Sequence, residues 1–272
     1  MFAGRIKEIE ALEQGLRQTR KGYSANFLIT GERGIGKSSL LSVLRPTATG
    51  EIKSFEDETF KYVVVNSVIS SKSTLVSFIK LIDRNLKREL GKIEKVRGFL
   101  DDTWSFVQRL KILDSSIGKA EAENEVDLIV DDFAYSLSET SKRLTNPEKG
   151  EQAYDGLVVF VDEADNATPD LHLGYFFKAV TELLQQHGCN NVMFVVAGLP
   201  EVCEKLALSH PSSIRIFSQL VITELSPDDR AYVVERGLAV GNEINEEKTT
   251  IKGGAKTLIS TLSEGYPHFI QQ

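Results

Sequence analysis

The apolar run NFLIT ends at Thr30, GERGIGKS follows, and an apolar pattern resumes at Leu40. Few local arrangements accommodate that order. Three glycines within six residues, Gly31, Gly34 and Gly36, permit positive φ and a close approach of backbone to a partner, so successive amide N–H groups can wrap an anion. A strand before the loop and a helix after it is the context such a GxxxxGK[ST] pattern requires, since the helix adds its positive end to the same anion. Lys37, Ser38 and Ser39 stand at the start of that helix. The unit predicts an α/β domain with a phosphate cradle at a strand–helix turn.

A second stretch answers the first. LVVFVDEAD carries five apolar residues into Asp162 and Glu163. Buried strands do not end in paired carboxylates without a compensating charge, and a divalent cation supplies one. The spacing assigns Ser38 and Asp162 to a Mg²⁺ ion, Asp162 acting through water. Glu163, one residue farther and pointing the other way along a strand, is the candidate to orient and deprotonate an attacking water. Asp165 reads as a local cap or turn residue. The residues expected to hold a nucleotide in the cradle are Glu32, Arg33, Gly34, Ile35, Gly36, Lys37, Ser38 and Ser39, with Lys37 bridging its β- and γ-phosphates.

The rest of the chain repeats an alternating rhythm. Strand-like runs lie at 26–30, 61–69, 156–162, 191–198 and 218–225, several apolar throughout, as strands covered on both faces are. Helical spacing appears at Ile6, Ile9, Leu12 and Leu16, at Leu75, Phe78, Ile79, Ile82 and Leu86, at Val126, Ile129, Val130, Phe133 and Leu137, and at Phe176, Phe177, Val180, Leu183 and Leu184. This predicts a three-layer α/β sandwich around a parallel five-stranded sheet. The segment at about 91–150 breaks the rhythm: it is charged, reads as helical, and contains the only tryptophan, Trp104. It is read as a helical insertion and a candidate partner surface. After Leu225 only helical patterns remain, opened by Ser226 as a cap and Pro227 in the first turn. The expected division is a nucleotide-binding core at 1–225 and a small helical lid at 226–272, with HFIQQ looking like a helix cut short and hence a fragment of a longer protein.

Bulk properties exclude several classes. A net charge of −7 and a pI near 5.3 argue against a chain dominated by nonspecific attraction to nucleic acid or anionic membrane. Cys189 and Cys203 form no CxxC or Cys/His cluster, which suggests reduced thiols rather than a disulfide framework or zinc site. No signal-peptide core and no run approaching the ~20 apolar residues of a membrane span is present. The expected location is the cytoplasm, with no membrane partner.

With both motifs in place, the sequence resembles P-loop ATPases of the AAA+ and STAND type, close to the origin-recognition-like and archaeal-type group. Three further stretches carry the resemblance. FAGRIKEIE is similar to the FxGRxxE box of such modules, which implies that Phe2, Gly4, Arg5 and Glu8 belong to an adenine pocket. HPSSIRIF resembles the segment bearing an arginine finger and implies that role for Arg215, acting on a neighbouring subunit. SEGYPHFIQ resembles the start of a lid helix and implies that Pro267 and His268 face the nucleotide. The sequence departs from the AAA+ pattern where a polar sensor is expected after the fourth strand, offering Ala197 and Gly198, and at the lid, where His268 stands in place of arginine.

The resemblance implies ATP/ADP and Mg²⁺ as ligands and a slow ATPase with Lys37, Glu163 and Arg215 in catalytic roles. Slow hydrolysis suits a nucleotide-driven switch or assembly module, working as a homo-oligomer or with a partner protein through the nucleotide face. Two alternatives stand beside it: a DNA-loading or remodelling ATPase of the origin-recognition type, with DNA bound through an appended C-terminal domain, and a nucleotide-binding scaffold that does not hydrolyse. No NKxD-type guanine-reading motif is present, TNPE at 145–148 included. Transfer of phosphate to a small molecule is less consistent with Glu163 beside Asp162 than transfer to water.

Overall fold

The computed structural model describes residues 4–91, 94–113, 122–150 and 152–270. Among them one sheet contains five strands, β1 (Asn26–Thr30), β2 (Tyr62–Val68), β3 (Gly156–Asp162), β4 (Val192–Gly198) and β5 (Phe217–Val221), in the order β2-β3-β4-β1-β5. Every pairing is parallel, so all strands end on one edge of the domain. Side chains alternate between two cores. Phe27, Ile29, Val158, Phe160, Met193 and Val195 face α1 (Ile6–Arg20) and α2 (Lys37–Thr49). Leu28, Leu157, Val159, Val161, Phe194 and Val196 face the opposite helical layer.

That layer contains α3 (Leu75–Leu90), α4 (Glu94–Thr103), α5 (Phe106–Leu113), α6 (Ala122–Thr145), α7 (Leu173–Gln186) and α8 (Val202–Ser209). Helix α3 starts with reciprocal capping. Thr74 Oγ1 accepts from the Ser77 N–H at 3.2 Å, and Ser77 Oγ accepts from the Thr74 N–H at 2.8 Å.

The segment set apart in the sequence as an insertion is built into the larger core. Trp104 and Phe133 are fully buried with ring centroids 5.6 Å apart, and Trp104 Nε1 donates to Thr140 Oγ1 at 2.9 Å. Truncating such a side chain costs on the order of 3–5 kcal/mol. The described part of the segment thus helps to hold the sheet, and among its described residues the outer ones, such as Asp127, Leu128 and Asp131, are exposed.

The fifth strand is shorter than its apolar run. It stops at Val221, although the Ile222 N–H still donates to the Thr30 carbonyl at 2.7 Å and the Ile222 side chain is buried. The run 222–225 then serves the turn into α9 (Pro227–Ile244), where Ser226 Oγ accepts from the Asp229 N–H at 3.2 Å. Helices α10 (Gly253–Leu262) and α11 (Pro267–Ile270) complete the small helical lid and bring the chain back over the loop that follows β1.

Candidate nucleotide-binding site

Parallel strands gather their carboxyl ends, and in such sheets ligands bind there. The order places β4 between β1 and β3, with Thr30 in register with Gly198 and Val196 with Val161. The glycine loop after β1 and the acidic turn after β3 therefore flank the end of β4.

The loop has the backbone its sequence requires. Gly34 and Gly36 have φ of 79° and 107°, left-handed values that exclude most side chains. Gly31 is held by proximity: a Cβ there would lie 2.6 Å from the Ile222 carbonyl oxygen. Gly36 caps α2 without any side-chain hydrogen bond, and the first turn of α2 contains no acidic residue. The first N–H groups of a helix lack intrahelical acceptors, so this end of α2 offers unneutralised donors to an anion. Lys37 Nζ folds over the loop, donating to the carbonyls of Gly31 at 2.7 Å and Glu32 at 2.9 Å. Burial pulls its pKa below the usual lysine value, opposed mainly by the charges of Asp165 and Asp162.

The acidic turn differs from the strand-alternation expectation. The chain leaves extended geometry at Glu163, whose φ is 54°, and enters a short 3-10 turn at Ala164–Asn166. Asp162 and Glu163 consequently line the same cavity instead of opposite faces. Asp162 Oδ1 accepts from the Glu163 N–H at 2.8 Å. Asn166 Nδ2 donates to Glu163 Oε2 at 3.2 Å and to the Ile69 carbonyl at 3.1 Å. Asp165 does more than cap its own turn: its Oδ1 accepts from the Leu199 N–H at 2.9 Å, tying the turn to the end of β4. From α8, Lys205 Nζ donates to the Asp165 and Ala167 carbonyls.

Loop, turn and lid enclose a cavity of about 410 Å³, within the size of small-ligand sites. Of the predicted residues, Arg33, Gly34, Gly36, Lys37, Ser38 and Ser39 line it from the loop. Asp162 and Glu163 face them, and Pro267 and His268 close the lid side. His268 lies tight against the loop, its Cβ 3.2 Å from where a Gly34 Cβ would sit. Asp165, Asn166 and Leu199 also line the cavity. Sequence reasoning did not place them in the site, because their position depends on β4 crossing beside β3; the polar triplet Glu163, Asp165, Asn166 was the available signal.

Other predicted residues lie off the cavity wall. The Ile35 side chain is in the core beneath the loop, and Glu32 contributes its carbonyl to Lys37. Gly4 sits beside Asp229 of α9. Arg5 runs behind the loop, where Nη2 donates to the Ile35 carbonyl at 3.3 Å and to the Thr223 carbonyl. Its hydrogen bonds are to backbone and Glu8 Oε1 lies 3.9 Å from Nη1, so the guanidinium sits behind the cradle. Arg215 is exposed on a 3-10 turn, Ser213–Ile216, ahead of β5. Phe2 lies outside the described residues.

The donor set fits a nucleotide carrying Mg²⁺. Among the described residues no group of three or more His, Cys, Asp or Glu side chains could hold a metal. Magnesium is ordinarily bound through one or two carboxylates together with substrate phosphates, and Ser38 and Asp162, both on the cavity wall, are the residues that would hold it.

Comparison with solved structures finds this fold in ORC2 of Aeropyrum pernix, determined as ADPNP–ADP complexes (16% identity, TM-score 0.57, covering 98% of this chain and 59% of that one). The ADP form of the same protein matches at 16% identity and TM-score 0.55, covering 98% of this chain and 61% of that one. ORC1 of Aeropyrum pernix in complex with DNA matches at 12% identity and TM-score 0.54, covering 100% of this chain and 58% of that one. At such identities the likeness is one of fold, and the chain spans about three fifths of the length of these structures. No curated protein matches. A family model described as "AAA ATPase domain" matches residues 1–195. That match takes in the glycine loop, the acidic turn and the first half of β4, and the chain belongs to the AAA ATPase domain family.

Proposed function

We propose that this chain binds ATP with Mg²⁺ and hydrolyses it slowly, as a nucleotide-driven switch or assembly module. One observation carries the reading. Lys37 stands at an uncapped helix end inside a cavity whose opposite wall is Asp162 and Glu163. Ser38 and Asp162 would hold the metal, which would draw charge from the phosphate oxygens when bound. Gly34, Gly36 and the N–H groups at the start of α2 hold the phosphate chain, and Lys37 neutralises it. Glu163 accepts the proton of the attacking water, with Asn166 orienting its carboxylate. Slow turnover follows from the end of β4, where Ala197 and Gly198 offer no side-chain donor; one missing donor to developing phosphate charge costs on the order of 10²–10³ in rate. Arg215, exposed, is assigned to the site of a neighbouring copy.

Binding of a fluorescent ATP analogue, followed by anisotropy, tests this reading. Wild type should bind with Mg²⁺ present, and Lys37→Ala should weaken binding about 10- to 100-fold through loss of a charge-assisted contact. Equal affinities for both proteins would overturn it. Phosphate release separates the scaffold reading: equal, negligible rates for wild type and Glu163→Gln favour a nucleotide-binding scaffold. A DNA-loading role is the second reading, supported by the fold shared with ORC1 of Aeropyrum pernix, a structure solved in complex with DNA. Duplex binding by this chain that depends on ATP would favour it, since a net charge of −7 supplies no nonspecific attraction to DNA.

A further inference from the structure

Arg5 occupies an uncommon position. It precedes α1 with φ of 67°, directly after Gly4 at 66°. A left-handed conformation disfavours a residue with a Cβ, and it persists where the surroundings over-determine it. Here they do. The side chain is only 8% exposed, and one guanidinium nitrogen donates to the carbonyls of both Ile35 and Thr223. Ile35 belongs to the glycine loop. Thr223 belongs to the short stretch through which the core passes into α9.

The same stretch is fastened from the lid. The Leu225 N–H donates to the Gly265 carbonyl at 2.9 Å, and Arg230 Nε donates to the Leu225 carbonyl at 2.8 Å. Arg230 Nη1 also reaches the Ser260 carbonyl at 3.3 Å. Two residues beyond Gly265, Pro267 and His268 close over the loop. A single guanidinium thus joins the back of the cradle to the hinge of the lid.

We propose that Arg5 is a positioning residue that makes the glycine loop and the 223–225 hinge move together, so that nucleotide in the cradle sets the placement of α9, α10 and α11. The inference rests on the nucleotide reading above. When phosphate draws the loop N–H groups inward, the intervening peptide planes reorient, the Ile35 carbonyl among them. Nη2 of Arg5, bonded to both carbonyls, transmits that change to Thr223. Both bonds leave Nη2, which stands farther from its own backbone than a lysine Nζ does, so a lysine keeps the charge and should not reach both carbonyls.

Amide hydrogen exchange of the full chain, with and without Mg²⁺ and ADPNP, tests the assignment in wild type, Arg5→Lys and Arg5→Gln. A separate titration fixes saturation for each protein. In wild type, ADPNP should slow exchange at least ~5-fold both in 31–37 and in 253–270. In Arg5→Lys at saturation the loop should still slow, while slowing in 253–270 falls below ~2-fold. Full lid slowing in both variants overturns the role of Arg5 and leaves the nucleotide reading intact. Failure of wild type to bind ADPNP overturns the nucleotide reading itself, and the coupling with it. Should both variants fail to fold, wild type alone decides: slowing confined to 31–37 overturns the coupling, and slowing in both segments supports it.

Discussion

Asn166 holds Glu163 by a 3.2 Å hydrogen bond to Oε2 while the same amide nitrogen donates to the Ile69 carbonyl at 3.1 Å. The carboxylate proposed to act as base is therefore fixed against the end of β2. Asn166→Ala leaves the loop and Lys37 untouched and releases Glu163. ATP affinity should stay within about twofold, while phosphate release falls about tenfold, as expected for a displaced general base. A parallel loss of affinity and rate would place Asn166 in ground-state binding instead.

Arg215 is exposed and absent from the wall of its own chain's cavity. Arg215→Ala should bind ATP as wild type does and lose turnover by on the order of 10³ where copies associate. Mixing Arg215→Ala with Glu163→Gln should recover part of the rate, since in mixed assemblies an intact Arg215 can serve an intact Glu163. No recovery at any concentration argues for action within one chain or none.

Gly31 has no room for a side chain, because a Cβ would lie 2.6 Å from the Ile222 carbonyl oxygen. In Gly31→Ala the ends of β1 and β5 must part. Overpacking of this kind costs about 1–3 kcal/mol, and at about 2–4 °C per kcal/mol for a large domain the melting temperature should fall by several degrees, measured by calorimetry. An unchanged melting temperature would mean that the two strand ends yield easily.

Glu13 on α1 is buried, accepting from the Phe55 N–H at 3.0 Å, and burial pushes its pKa above the usual glutamate value. The folded protein therefore binds this proton more tightly than the unfolded chain. Its contribution is fully present below the ordinary glutamate pKa and is lost as pH rises through the raised folded value. Glu13→Gln keeps an acceptor for Phe55 and removes the charge. It should raise the melting temperature at pH 7 by about 2 °C and lose that advantage toward pH 4. A difference independent of pH would count against an ionised, desolvated carboxylate.

Trp104 is the only tryptophan and is fully buried between α4 and α5. Its emission should be blue-shifted in the native protein and move red in the same cooperative transition that far-ultraviolet dichroism reports. An earlier fluorescence transition would show that the 94–145 helices melt apart from the sheet.

Much of the architecture was legible because it is written locally. NFLIT and GLVVFVD coincide with β1 and β3, and Gly34 and Gly36 take the left-handed values their loop pattern demands. The end of β5 was not, since Ile222 and Leu225 are apolar for the sake of burial under the loop and hinge, and apolarity does not distinguish that from a strand. The long-range partners of Asp165 and Arg5 are not legible for a related reason. These partners, Leu199 and Thr223, lie far along the chain, and only the crossing of β4 beside β3 and of the hinge behind the loop brings them together.

The central position of β1 has a consequence for synthesis. Phe27 pairs with Val195 on one side and Ser218 on the other. At ~5–20 residues per second, those neighbours leave the ribosome about 10 to 40 seconds after Phe27 does. Throughout that interval the strand leading into the glycine loop has neither flank, so the centre of the sheet, and with it the cradle, can close only late in synthesis.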